Sequence, residues 1–175
     1  GKGIPMTKKD LPFSQSEFDH RIAKTRKAME EAGLDALFIT DPSNQNWLTA
    51  YDGWSFYVHQ GVILGRDGDP IWWGRYMDML GGRRTCWMTD ENILGYGDEY
   101  VQSTQRHAMQ HLAAQLRDMG FEKARIGVEM ENYYYSAKAH AVLTEELPGA
   151  TLVDATALVN WQRIVKSEEE ISFIR

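Results

Sequence analysis

Side chains able to do chemistry are spread thinly along this chain, and no set of them forms a complete catalytic group. His107 and His111 stand four apart, a spacing that places two imidazoles on one helical face toward a metal. A zincin would follow the first His with Glu; here Ala108, Met109 and Gln110 intervene, so two solvated histidines are expected. His20 and His140 are isolated helical residues and read the same way. Cys86 has no nucleophile motif around it and reads as a small packed hydrophobe. Glu129, Glu131 and Asp154 fall at strand ends, where a carboxylate serves as a loop or capping group. The sequence has no GxSxG elbow, no P-loop and no GxGxxG, which removes the main support for serine hydrolase, nucleotide hydrolase and dinucleotide-binding readings.

One stretch stands apart. Residues 47–60 carry Trp47, Tyr51, Trp54, Phe56, Tyr57 and His59 between two apolar runs. So aromatic a connection either folds into its own core or faces a pocket, another domain or a partner subunit. Both readings stand on the residues alone.

The elements that must position these residues follow from periodicity. A helix is predicted over 14–32: Ser14 and Glu17 have capping-box spacing, and Phe13 and Phe18 form a hydrophobic staple. Phe18, Ile22, Thr25 and Met29 repeat at helical intervals before Gly33. Strands are predicted over 35–40 and 61–65, the latter forming a hairpin with 70–73 across the polar turn 66–69. A short helix or turn is expected at 46–50 and a helix at 75–80. A strand follows at 92–96, and a long helix runs from near Ser103 to Gly120. A strand at 125–130, a helix at 136–147 ended by Pro148-Gly149, and a strand at 151–154 complete the pattern. Helices alternating with short strands predict an α/β fold, a mixed β-sheet flanked by helices. The antiparallel hairpin argues against a purely parallel sheet.

Composition narrows the class. The chain has 175 residues, 43% hydrophobic and 25% charged, as an ordinary single globular domain has. A net charge of −6 argues against nucleic acid as partner, and no run is long and apolar enough for a membrane helix. One cysteine precludes an internal disulfide and fits the cytoplasm. Gly1-Lys2-Gly3 lacks an initiator Met and reads as a processed start, so residues 1–12 are taken as an N-terminal extension. Ser167 and Glu170 form another capping box before Ile171 and Ile174, which announces a helix interrupted at Arg175.

Several segments resemble the N-terminal domain of the creatinase, prolidase and aminopeptidase P hydrolases. EEAGLDALFITDPSNQNWLTAYDG resembles that domain's opening, RIGVEMEN its central strand, and TLVDATALVNWQRIVKSEEEISFIR its exit. The resemblance implies a domain over 13–165 with a ribonuclease H-like motif. It also implies a linker helix starting at 166–175 that enters a C-terminal catalytic domain beyond this sequence. Tyr51-Asp52-Gly53-Trp54-Ser55-Phe56-Tyr57, Gly74-Arg75, Tyr100-Val101-Gln102-Ser103 and Asn160-Trp161-Gln162-Arg163 look most like the ectoine hydrolase branch.

By the same resemblance the domain carries no catalytic residue and no metal ligand; any divalent metal belongs to the catalytic domain. It supports a homodimer and lends its aromatic loop to the pocket for a small-molecule substrate. Trp54, Phe56, Tyr57, His59 and Tyr51 are then the substrate-binding candidates. Family members place a Phe and an Arg from this loop on the substrate carboxylate; Phe56 matches the Phe, whereas Val58 stands in the place of the Arg. An X-Pro peptidase and a stand-alone binding or dimerisation module are the alternatives. The 175-residue chain alone is expected to be inactive.

Overall fold

Ser14 opens the first helix, its hydroxyl accepting from the Glu17 amide at 3.2 Å, and Phe13 stacks edge-on against Phe18 at 6.5 Å. The structure is a computed structural model that describes residues 10–53, 55, 58–165 and 171. Helix α1 (Gln15–Glu31) buries Phe18, Ile22, Thr25 and Met29 as its periodicity predicts, and Gly33 leaves it at φ +68°. Its inner face also holds a charge. Arg21, 2% exposed, pairs with Glu17 at 3.3 Å, donates to the Trp47 carbonyl at 2.9 Å and lies over the Phe13 ring.

Six strands make one mixed sheet in the order β4-β3-β2-β1-β5-β6. These are β1 (Ala36–Ile39), β2 (Gly61–Gly65), β3 (Ile71–Arg75), β4 (Ile93–Tyr96), β5 (Arg125–Val128) and β6 (Thr151–Asp154). The predicted hairpin is present: β2 pairs antiparallel with both β1 and β3. The β3–β4, β1–β5 and β5–β6 pairs are parallel. Both faces of the sheet are covered, so its central strands are apolar throughout rather than alternating. Leu37, Ile39 and Trp72 pack toward α1, with α2 (Pro42–Thr49), α3 (Tyr76–Thr85) and α6 (Leu158–Ile164) on the same face. Phe38, Ile63 and Trp73 point the other way, onto α4 (Ala108–Asp118) and α5 (Ala137–Glu146). The adjacent Trp72 and Trp73 thus serve opposite cores, as strand pleating requires.

The boundaries differ most from expectation at three helices. Helix α2 begins at Pro42, four residues before the expected turn, because the Asp41 carboxylate accepts from the amides of Ser43 and Asn44. Helix α3 continues through Gly81-Gly82 to Thr85. At Gly82 a Cβ would stand 3.0 Å from Ile93, so this glycine permits close packing rather than ending the helix. Helix α4 begins at Ala108, not near Ser103; the Ser103 hydroxyl closes a separate turn by accepting from Gln105 and Arg106. The expected capping box at Ser167 and Glu170 lies outside the described residues. No helix among the described residues is long and apolar enough to cross a membrane.

Candidate functional site

The C-terminal ends of β1 and β5 lie side by side, and Glu129 follows β5 at that edge. Its carboxylate, 1% exposed, accepts from the backbone amides of Thr40 at 2.6 Å and Asp41 at 2.7 Å. The Asn44 amide donates to its other oxygen at 2.7 Å, and Asn44 accepts in turn from Arg163 at 3.0 Å. Burial holds the Glu129 carboxyl above the usual carboxylate range, opposed by these hydrogen bonds. Every partner of Glu129 is a positioning group, so it fixes the start of α2 and, through Asn44, the side chain of Arg163. Asp154 is a capping carboxylate that accepts from Thr156, whose hydrogen bonds pull it below its usual value.

Above this edge lies an open cleft of about 820 Å³ between α2, the segment after it and α6, with Asn46, Trp47, Tyr51 and Arg163 on its walls. Tyr51 reaches it only at the margin. The ring is 5% exposed, packs on Trp72 at 5.2 Å and directs its hydroxyl to Gln60 at 3.4 Å. Burial raises its phenol above the ordinary range.

His59 belongs to a second cavity, a groove of about 220 Å³ on the other side of the sheet. Its backbone carbonyl accepts from the Tyr96 hydroxyl at 2.5 Å, and its ring lies 4.8 Å from that of His107. Burial, with the neighbouring His107, pushes the His59 imidazole down to about 4. Of the substrate-binding candidates, the structure therefore assigns Tyr51 and His59 to different cavities. Trp54, Phe56 and Tyr57 lie outside the described residues.

The two histidines four apart are not the solvated pair the spacing suggested. His107 is the N-cap of α4: its Nδ1 accepts from the Met109 amide at 3.1 Å, while Gln110 reaches back to the His107 amide. His111 accepts from the Trp73 indole at 3.0 Å and sits among Tyr96 and Tyr100. Burial lowers the pKa of both. His140 is hydrogen-bonded to the Tyr135 hydroxyl at 2.8 Å. Among the described residues no three His, Cys, Asp or Glu side chains are arranged to hold a metal ion, and Cys86 is buried. Of the residues that build the groove with His59, Tyr100 stands in a segment singled out by resemblance, whereas Tyr96 and Arg106 carry no sequence signal of their own. Their convergence depends on β4 lying beside the start of α4.

A mixed sheet with helices on both faces and a buried carboxylate at the β1/β5 edge define an α/β domain. Residues 21–165 match the creatinase/prolidase N-terminal domain, and the chain belongs to that family. It is 51% identical over 171 residues to the ectoine hydrolase of Halomonas elongata, covering 97% of this chain and 43% of that protein. It is 42% identical over 166 residues to an uncharacterised hydrolase/peptidase of Sinorhizobium fredii, covering 94% and 42% respectively. The chain thus spans less than half the length of these curated relatives. Among solved structures, the dipeptidase PepE of Mycobacterium ulcerans superposes with a TM-score of 0.70 at 21% identity, covering 91% of this chain and 40% of that one. At that identity the likeness is one of fold.

Proposed function

We propose that this chain is the N-terminal domain of a hydrolase that opens a C–N bond in a small cyclic amidine of the ectoine type. The observation that carries this reading is the 51% identity to an ectoine hydrolase, sustained over 97% of the chain. The domain supports a cytoplasmic homodimer and contributes its aromatic connection to the substrate pocket. Catalytic groups, and any divalent metal, belong to a following domain of roughly 200–250 residues. Trp54, Phe56 and Tyr57 give the pocket aromatic walls, on which a compact amidinium packs through cation–π attraction.

The test uses the full-length enzyme, offered ectoine and an X-Pro dipeptide side by side. Turnover of ectoine, with kcat/KM falling at least about tenfold in Trp54→Ala and Phe56→Ala, agrees with the proposal. Preferential turnover of the dipeptide would reassign the enzyme as a peptidase. A reading frame that stops after Arg175 would leave only a binding or dimerisation module.

A further inference from the structure

Three imidazoles meet near the start of α4, and the partners of two of them determine their protonation state. His107 Nδ1 accepts from the Met109 amide at 3.1 Å, and His111 Nδ1 accepts from the Trp73 indole at 3.0 Å. A backbone amide and an indole can only donate, so each bond exists only while that nitrogen is unprotonated. His140 differs: its partner is the Tyr135 hydroxyl, which donates or accepts, so that contact survives protonation. The third imidazole of the cluster, His59, packs against the His107 ring at 4.8 Å.

These contacts tie three parts of the fold together. The His107 cap, completed by Gln110 accepting from the His107 amide, starts α4. The His111 bond fastens α4 to β3, where Trp73 is fully buried and would otherwise keep a donor without this acceptor. His59 stands where the aromatic connection enters β2, its carbonyl held by the Tyr96 hydroxyl. Burial lowers the pKa of all three imidazoles. Lys138 on α5 further disfavours a proton on His107, whereas Glu99, in the turn after β4, favours one on His111. Tyr100 and Arg106 line the same groove, and Tyr96 faces it from β4. Asp78 and Arg75 act on Tyr96 in opposite senses, and Arg75 is itself paired with Asp98 at 2.9 Å.

We propose that His59, His107 and His111 form an acid-operated latch between the aromatic connection, α4 and β3. Proton uptake on the two Nδ1 atoms turns each acceptor into a donor facing a donor, so α4 loses its cap and its tie to Trp73. The His107 ring leaves His59 as the cap opens, and residues 58–60 lose the surface that fixes the exit of the aromatic connection. The open form binds protons more tightly than the closed one, so the latch is shut above about pH 6.5 and opens as pH falls. What the movement does to a bound substrate rests on the reading above; the latch itself is tested without one.

Hydrogen exchange of the 175-residue chain, followed by NMR and corrected for the intrinsic rate, reads the latch at the Met109 amide and the Trp73 indole. From about pH 7.5 to about pH 5.0 the protection of both should fall at least about tenfold, ahead of the amides of β1 and β5, which report on the whole sheet. Asn caps helices, Gln accepts hydrogen bonds and neither titrates, so His107→Asn and His111→Gln keep the contacts while removing the proton sites. The Met109 amide should stay protected to the acid end of that range in His107→Asn, and the Trp73 indole in His111→Gln. Far-UV circular dichroism at neutral pH checks that each variant is folded. Equal loss at Met109, Trp73 and the central strands of the unmodified chain would assign the acid response to global unfolding and overturn the latch. The same loss in a folded variant as in the unmodified chain would overturn it too. A latch that fails leaves the hydrolase reading standing, and an enzyme that ignores ectoine leaves the latch standing.

Discussion

Glu129 shows how much of this architecture hangs on one side chain. Two backbone amides and one side-chain amide donate to it, those of Thr40 and Asn44 from buried positions. Glu129→Ala leaves the buried Thr40 and Asn44 donors without this acceptor, which costs about 2–4 kcal/mol. Urea unfolding of the variant at neutral pH should show that loss through a lower midpoint at unchanged slope. A change below about 0.5 kcal/mol would mean that water or a rearranged Asn44 replaces the carboxylate. This role could not be read from the residue order. Glu129 was expected to be a satisfied strand-end group, and it is satisfied, but by partners 85 to 89 positions away. His111 was misjudged for the same reason, whereas the cap that His107 makes is local, through Met109 and Gln110. Their spacing was visible, while the Trp73 indole and the stacked His59 ring come from other elements.

At the scale of elements, what is local was legible. The hydrophobic staple at Phe13 and Phe18, the apolar face of α1, the β2–β3 hairpin and the strand pattern follow from composition and spacing, and each is present in the fold. Element starts were less legible where a polar side chain makes a turn of its own, as Ser103 does ahead of α4. Close packing was invisible as well. Gly127 in β5 lies so near its neighbours that a Cβ would stand 2.6 Å from Leu37, 2.8 Å from Ala155 and 2.9 Å from Leu34. Gly127→Ala should therefore destabilise the sheet by about 1–3 kcal/mol although alanine is small, because two apolar side chains and a neighbouring β-carbon must all move. Equilibrium denaturation measures it; a neutral result would show that Leu34 and Leu37 repack without strain.

For the molecule as a whole, the buried imidazoles set a pH dependence. His59 titrates near 4 in the folded state against about 6.5 when unfolded. Between those values the unfolded chain binds more protons, so stability rises with pH across the window and is complete above about 6.5. Falling pH removes it, by at most about 3 kcal/mol for this one group. His107 and His111 are shifted in the same direction and add to the slope. Urea midpoints at pH 7.5, 5.5 and 4.5 should fall in that order, and His59→Gln should flatten the trend. An equally steep trend in that variant would assign the acid sensitivity elsewhere.

The pairing of α1 with α6 also bears on how the chain comes to be folded during its synthesis. Lys24 donates to the carbonyls of Gln162 and Val165, 138 and 141 residues further on. At ribosomal rates of roughly 5–20 residues per second, the nascent first helix waits on the order of ten seconds for that partner to be made. The hairpin beside β1 is available much sooner, whereas β5 comes some ninety residues after β1. Half of the sheet is therefore in place while its other edge is untranslated, and through that interval α1 has α2 and the first strands against its inner face but lacks its α6 partner.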